Sequence, residues 1–182
     1  MQLPTRAECF DLMRKMDMMD HIRDHSVQVC RVAIALASPL QNDPNPPDLR
    51  LLEAATLLHD ITKTRAFETG ENHAATGAQL LIELGFPEVG HVVRQHVQLD
   101  SYLLTGVLTE AEITNYSDKR VLHDQVVPLS QRMVYIMDRY GKTEANRNRI
   151  SSLWEKTKAL EERIFKRLPF QPEELSQRIL DF

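Results

Sequence analysis

A chain of 182 residues, 42% of them hydrophobic, is long enough to bury one well-formed core and short for two. Its 22 lysines and arginines against 26 acidic residues, net −4, exclude a global basic field for nucleic acid or an anionic membrane, so any phosphate site is local. Two cysteines, Cys9 and Cys30, are too few for a disulfide framework or a thiolate zinc site, and both fall in predicted helices as small buried hydrophobes.

Charged residues interrupt the N-terminal stretch and no window reaches membrane-spanning length, so the expectation is a soluble, cytoplasmic protein. Thr5-Arg6-Ala7-Glu8 is a capping-box pattern that opens a first helix, with Cys9, Leu12, Met13 and Met16 as its stripe. A second helix is predicted from Asp20 to Ala37. It turns His25, Val29, Val32, Ala33 and Leu36 to one face, so His25 looks inward and His21 lies nearer the helix entry. On its own, His25 reads as a core histidine satisfied by a carbonyl.

Ser38 to Pro47, with three prolines, reads as an exposed connector. Asp48 can then cap a helix with Leu51, Leu52, Ala55 and Leu58 at helical spacing, ending at His59-Asp60-Ile61-Thr62-Lys63. His59 shares the face of Ala55 and Asp60 points about 100° further round, so a cation between the two directions could take a ligand from each. Taken alone, the pair reads as a hydrogen-bonded pair or a cap at the helix end. Lys63 either complements the helix dipole or meets a phosphate. Thr64 to Glu71, polar and holding Arg65 and Gly70, reads as a loop at the mouth of the site.

Asn72 caps the next predicted helix, which carries His73 in its first turn and Gly77 on the same face, and stops at Gly85-Phe86-Pro87. From Pro87 a short amphipathic helix places His96 on its buried side and His91 elsewhere. After an irregular link over Asp100 to Leu108, Thr109-Glu110-Ala111-Glu112 is a second capping box, opening a helix to Leu122. That helix contains Asn115-Tyr116-Ser117-Asp118-Lys119-Arg120, which reads by itself as a surface ion-pair triplet. Ser130 can cap a helix ending at Gly141. A long charged helix runs from about Ile150 to Leu168, and Pro172 starts a short last one. No strand and no internal repeat is found, so the fold is expected to be all-α.

His25, His59, Asp60, His73, His96 and Asp118 are thus candidate donors on five predicted helices, a set suited to Fe or Mn first and to Co, Ni, Zn or Mg also. In order and type, His25, His59-Asp60 and Asp118 resemble the motifs of the HD superfamily of metal-dependent phosphohydrolases, over roughly His21 to Tyr140. His73 and His96 resemble the two extra histidines of dinuclear members, including the HDIG-type subgroup and the HD-fold symmetrical dinucleoside tetraphosphate hydrolases. The departure is Thr62 where the subgroup has glycine.

The resemblance implies a single helical HD-type domain over 1–141. A helical extension over 142–182 would pack on it or mediate self-association, as in a homodimer. It also implies one or two divalent ions, the first on His25, His59, Asp60 and Asp118, the second on His73 and His96, with Asp60 able to bridge. Asp118 is chosen over Asp138 because Tyr116-Ser117-Asp118-Lys119-Arg120 resembles the final motif. Metal-bound hydroxide would attack a phosphoester or phosphoanhydride of a nucleotide or other small phosphorylated metabolite. Asp60 would orient it, and Lys63 would be the first contact for the phosphate. Arg65, Lys119 and Arg120 are further candidates for substrate binding. Two rival readings are a sensor that binds a phosphorylated effector without turnover, and a di-iron oxygenase-type HD protein.

Overall fold

The computed structural model describes residues 2–102 and 106–179; part of the predicted 100–108 link therefore lies outside the described residues. The first helix, α1 (Arg6–Lys15), begins where the capping box places it. The Thr5 hydroxyl accepts from the Glu8 amide, and the Glu8 carboxylate accepts from the Thr5 amide. Helix α2 (Asp20–Ala37) has the predicted bounds and buries the predicted face, His25 included. The connector after it opens as a 3-10 turn (Ser38–Asn42) that buries Leu40.

Helix α3 (Leu49–Leu58) is capped by the Asp48 carboxylate, which accepts from the amides of Arg50 and Leu51. Its leucines 52, 57 and 58 are fully buried, each contributing about 1.5–3 kcal/mol. The polar stretch that follows is not the expected loop. It forms α4 (Lys63–Thr69), a helix with no buried residue that ends at Gly70 in the left-handed conformation, φ +71°.

Helix α5 (His73–Glu83) starts under the Asn72 cap and packs along α6 (Pro87–Arg94). Gly77 lets α5 pack closely on the segment between α3 and α4 rather than on a ligand. A Cβ there would stand 3.3 Å from Ile61 Cγ2 and 3.4 Å from Thr62 Oγ1.

Helix α7 (Glu110–Lys119) forms under the second capping box but stops three residues short of the expected end. The chain then makes a small antiparallel hairpin, β1 (Val121–Leu122) with β2 (Gln125–Val126), Val121 opposite Val126 and Leu122 opposite Gln125. Its turn holds His123 at φ +56°. This hairpin is the whole of the sheet among the described residues, and the fold is all-α.

Helix α8 (Leu129–Tyr140) begins directly after Pro128, and α9 (Glu144–Phe165) is capped by the Thr143 hydroxyl. The last predicted helix is a 3-10 segment, Pro172–Gln177.

Two apolar clusters flank α2 and α3. One gathers Cys9, Met13, Ile22, Leu57, Leu58, Leu81 and Val93 from α1, α2, α3, α5 and α6. The other joins Val29, Leu36 and Leu52 to Ile113 and Tyr116 of α7, Leu160 and Ile164 of α9, and Leu175. The helix ends that bear the candidate donors therefore come together between rigid elements.

Candidate metal centre

His25 projects from the second turn of α2, and its ring nitrogens have opposite fates. Nδ1 is 2.8 Å from the carbonyl of His123 in the hairpin turn, and Nε2 is 3.1 Å from Asp118 Oδ1. His59 caps α3 and is wholly buried, with Nδ1 2.8 Å from the Thr56 carbonyl. His96 sits two residues beyond α6, 2% exposed, with Nδ1 2.7 Å from the Val93 carbonyl. A carbonyl accepts only from an N–H, so in all three rings the proton is drawn to Nδ1 and the Nε2 lone pair faces the cluster. That is how histidine is presented to a metal.

His73 opens α5 and is a quarter exposed, with Nε2 3.1 Å from His96 Nε2 and 3.3 Å from Asp60 Oδ1. Asp60, in the turn between α3 and α4, is 1% exposed and lies between two groups. Its Oδ2 is 3.3 Å from His59 Nε2 and 2.7 Å from Lys63 Nζ; its Oδ1 is 3.3 Å from His73 and 3.5 Å from His96. Asp118 Oδ1, on α7, lies 3.8 Å from His59 Nε2.

These are acceptors facing acceptors. His59 Nε2 and Asp60 Oδ1 are buried without a hydrogen-bond partner, which costs about 1–3 kcal/mol per group unless a cation or proton completes them. Two groups among the described residues have the spacing to hold an ion: His25, His59 and Asp118, and His59, Asp60 and His96. The donor set and the orphaned atoms fit a divalent metal.

The electrostatics agree. Burial alone would raise the carboxyl of Asp60, but His59 and Lys63 hold it well below the usual range. Burial likewise opposes ionisation of Asp118, and the neighbouring His25 ring with the Arg132 and Lys119 charges overcomes it. Burial pushes His96 down to about 4, so it is neutral and ligand-competent near neutral pH. His59 feels burial most strongly, yet the carboxylates of Asp60 and Asp118 raise it on balance.

Thr62 fits where the resemblance expects glycine because its φ of −106° is open to any L-residue. Its hydroxyl donates to the His73 carbonyl at 2.9 Å and lies 3.0 Å from Thr76 Oγ1, tying the exit from α3 to the start of α5.

Lys63 joins the centre directly, whereas Arg65 is half-exposed on α4 and pairs with Glu71 at 2.7 Å. Lys119 and Arg120, read from the sequence as substrate contacts, are both buried, with their donors directed to protein acceptors. Lys119 donates to the carbonyls of His96 and Asn115 at 3.0 and 3.1 Å, and burial lowers it to about 8. Arg120 donates to the carbonyls of Val127 and Pro172 and to the Tyr116 hydroxyl.

Two residues at the centre are not signalled by sequence. Asn115 donates to the carbonyls of Gln95 and His96 at 2.9 and 3.0 Å, fixing the segment that bears His96. Arg132, on α8, has Nη2 3.6 Å from Asp118 Oδ1. Asp138, on the same helix, is exposed. A depression of about 620 Å³ between α6 and the start of α7 is lined by none of the candidate ligands.

The chain is similar to several known proteins. It is 32% identical over 96 residues to a tRNA (cytidine(56)-2'-O)-methyltransferase of Thermoplasma volcanium, covering 52% of this chain and 26% of that protein. It is 26% identical over 153 residues to the enzyme of that name in Picrophilus torridus, covering 76% and 41%. An uncharacterized protein of Methanocaldococcus jannaschii is 32% identical over 79 residues, covering 43% and 46%. The chain thus spans less than half the length of each of these curated relatives.

A crystal structure of a predicted HD superfamily hydrolase from an uncultured Thermotogales bacterium superposes with a TM-score of 0.51 at 22% identity, covering 91% of this chain and 94% of that one. At that identity the likeness concerns the fold. The family model described as HD domain matches residues 22–142, which hold all six candidate donors. The chain therefore belongs to the HD domain family.

Proposed function

We propose that this protein is a metal-dependent phosphohydrolase that cleaves a phosphoester or phosphoanhydride of a small phosphorylated metabolite, a nucleotide foremost. The observation that carries the reading is Asp60, whose Oδ2 faces His59 and Lys63 while its Oδ1, buried without a hydrogen-bond partner, faces His73 and His96. His25, His59, Asp118 and Asp60 Oδ2 would hold one ion; His73, His96 and Asp60 Oδ1 would hold the other. Fe or Mn suits this mixed imidazole and carboxylate set best. Such ions acidify the water they coordinate and offset negative charge on a phosphoryl group.

The chain's own residues do the rest. The carbonyls of His123, Thr56 and Val93 lock three imidazoles with Nε2 inward, so the donors are oriented before any ion arrives. Lys63 keeps Asp60 ionised and supplies a positive charge about a quarter exposed to the site's mouth, where a phosphate oxygen could meet it. Two buried free cysteines suit a reducing cytoplasm. Methyl transfer is not carried over from the named relatives, since the chain spans too little of them.

The test is elemental mass spectrometry of protein purified without chelator, for wild type, His59→Ala and His73→Ala, followed by phosphate release from nucleotides with Mn, Fe, Co and Mg. About two ions per chain are expected, lost largely in the first variant and by about half in the second. No bound metal, even after reloading with Mn or Fe, would sink the reading. Nucleotide binding without product would favour a sensor, and activity confined to redox-active iron with oxygen would favour an oxygenase.

A further inference from the structure

On α8, beside the donor cluster, one cation has a charge that no hydrogen bond absorbs. Arg132 stands in the first turn with its side chain 12% exposed. Its Nη2 lies 3.6 Å from Asp118 Oδ1, beyond hydrogen-bond range, and its Nε is buried without a hydrogen-bond partner. A guanidinium so placed has lost most of its water, faces one carboxylate at ion-pair distance and leaves Nε without an acceptor, which a phosphate oxygen would supply.

Arg132 lies over the ring of Tyr135, 5.6 Å from its centroid. Tyr135 in turn meets edge-on the ring of His123, the residue whose carbonyl orients His25. Further along the helix, Arg139 lies over the Tyr140 ring at 5.9 Å. Tyr140 is 52% exposed.

Positions 132, 135 and 139 fall on one face of a helix, and 140 borders it. That face starts beside Asp118, at the edge of the centre. An open depression of about 580 Å³ lies toward the C-terminal end of the helix, lined by Tyr135, Asp138, Arg139, Tyr140 and Lys142. Arginine alternating with tyrosine offers a fork for a phosphate and flat surfaces for a planar ring. Tyr102 and Tyr116 offer no such surface: Tyr116 is wholly buried and Tyr102 packs at the apolar core under Lys156.

We propose that this face of α8 is the substrate-recognition subsite, with Arg132 binding a phosphate oxygen and the Tyr135–Tyr140 surface stacking a planar aromatic base. The ligand it selects is a nucleotide rather than a sugar or lipid phosphate. The inference rests on reading the neighbouring centre as a phosphohydrolase, but its test does not need turnover.

Adenosine 5′-monophosphate and ribose 5-phosphate share the phosphoribosyl group and differ by the base, so calorimetric titration of Mn-loaded protein with each isolates stacking. Wild type should bind the nucleotide about tenfold more tightly. Tyr140→Leu should erase most of that preference and Tyr140→Phe should keep it. Arg132→Ala should weaken both ligands alike, by about tenfold or more, with Arg132→Lys recovering part, and with metal content unchanged by elemental analysis.

Equal binding of the two ligands by wild type, or a base preference untouched by Tyr140→Leu, would overturn the stacking surface. Unchanged binding of both ligands in Arg132→Ala would overturn the phosphate contact. A base preference abolished by Tyr140→Leu in a protein that releases no phosphate from either ligand would uphold the subsite while removing the hydrolase reading.

Discussion

Lys63 reaches back one turn to Asp60, its Nζ 2.7 Å from Oδ2, while the other oxygen of that carboxylate faces His73 and His96. The lysine thus touches only the half of Asp60 that it shares with His59. Truncating it to alanine should leave bound metal intact and cut kcat/KM at least tenfold, an effect on the scale of one lost electrostatic contact. Steady-state phosphate release beside elemental analysis would show it; unchanged kinetics at both low and saturating substrate would end its role.

Asn115 and Lys119 hold the same carbonyl, that of His96, from adjacent turns of α7. Replacing Asn115 by alanine removes two buried hydrogen bonds and should destabilise the fold by about 1–3 kcal/mol. It should also lower metal affinity at the His73 and His96 side before the His25 side. Urea unfolding and stepwise chelator titration would measure the two effects. Full stability with full metal content would exclude Asn115 as the support of His96.

Thr62 is the departure from the resembled motif, and its hydroxyl is fully used. Thr62→Gly should cost about 1–3 kcal/mol through the lost bonds and added chain freedom, without loss of metal. The urea midpoint reports the cost, and a more stable glycine variant would show that the hydroxyl contributes nothing.

Cys9 is wholly buried and burial pushes its thiol up to about 12. The unfolded thiol ionises near 8.5–9, so between about 9 and about 12 the unfolded state binds fewer protons. Stability supplied by the neutral thiol is then complete below pH 9 and falls as pH rises toward 12. A thiol reagent at pH 8 should leave Cys9 and Cys30 untouched in the native protein and label both in denaturant. Rapid native labelling would contradict their burial.

Much of the fold was legible because its signals are local. Thr5 and Thr109 open capping boxes that form, Asp48 and Asn72 cap the helices they precede, and the stripe of α2 buries the side it predicts. Helix α4 was missed because it buries nothing: without an apolar face, periodicity has no trace to leave. The hairpin was missed because its strands are two residues long and its turn uses His123 and Asp124 instead of a glycine pair. Helical spacing therefore seemed to continue through Val121 and Leu122.

At the site, residue type and order singled out six side chains that the fold brings together, whereas their neighbours depended on tertiary approach. Lys119 and Arg120 looked like a solvated pair beside Asp118, yet α9, Pro172 and the His96 segment close over them. Arg132 carries no local mark, since a basic residue on an amphipathic helix is ordinary. Only the return of α8 past α7 brings it to Asp118.

The residues of α7 face three ways at once. Asn115 and Lys119 grip the His96 carbonyl, Asp118 looks to His25 and His59, and Tyr116 and Arg120 reach Glu161 on α9. Inserting or deleting one residue ahead of Asn115 would rotate the whole set by about 100°, and all three links would disengage together. Helix α7 is in this sense keyed by phase: it can absorb many single replacements one bond at a time, but a change of length by one residue would break the connection between His96, the histidine–aspartate cluster and α9 in a single step.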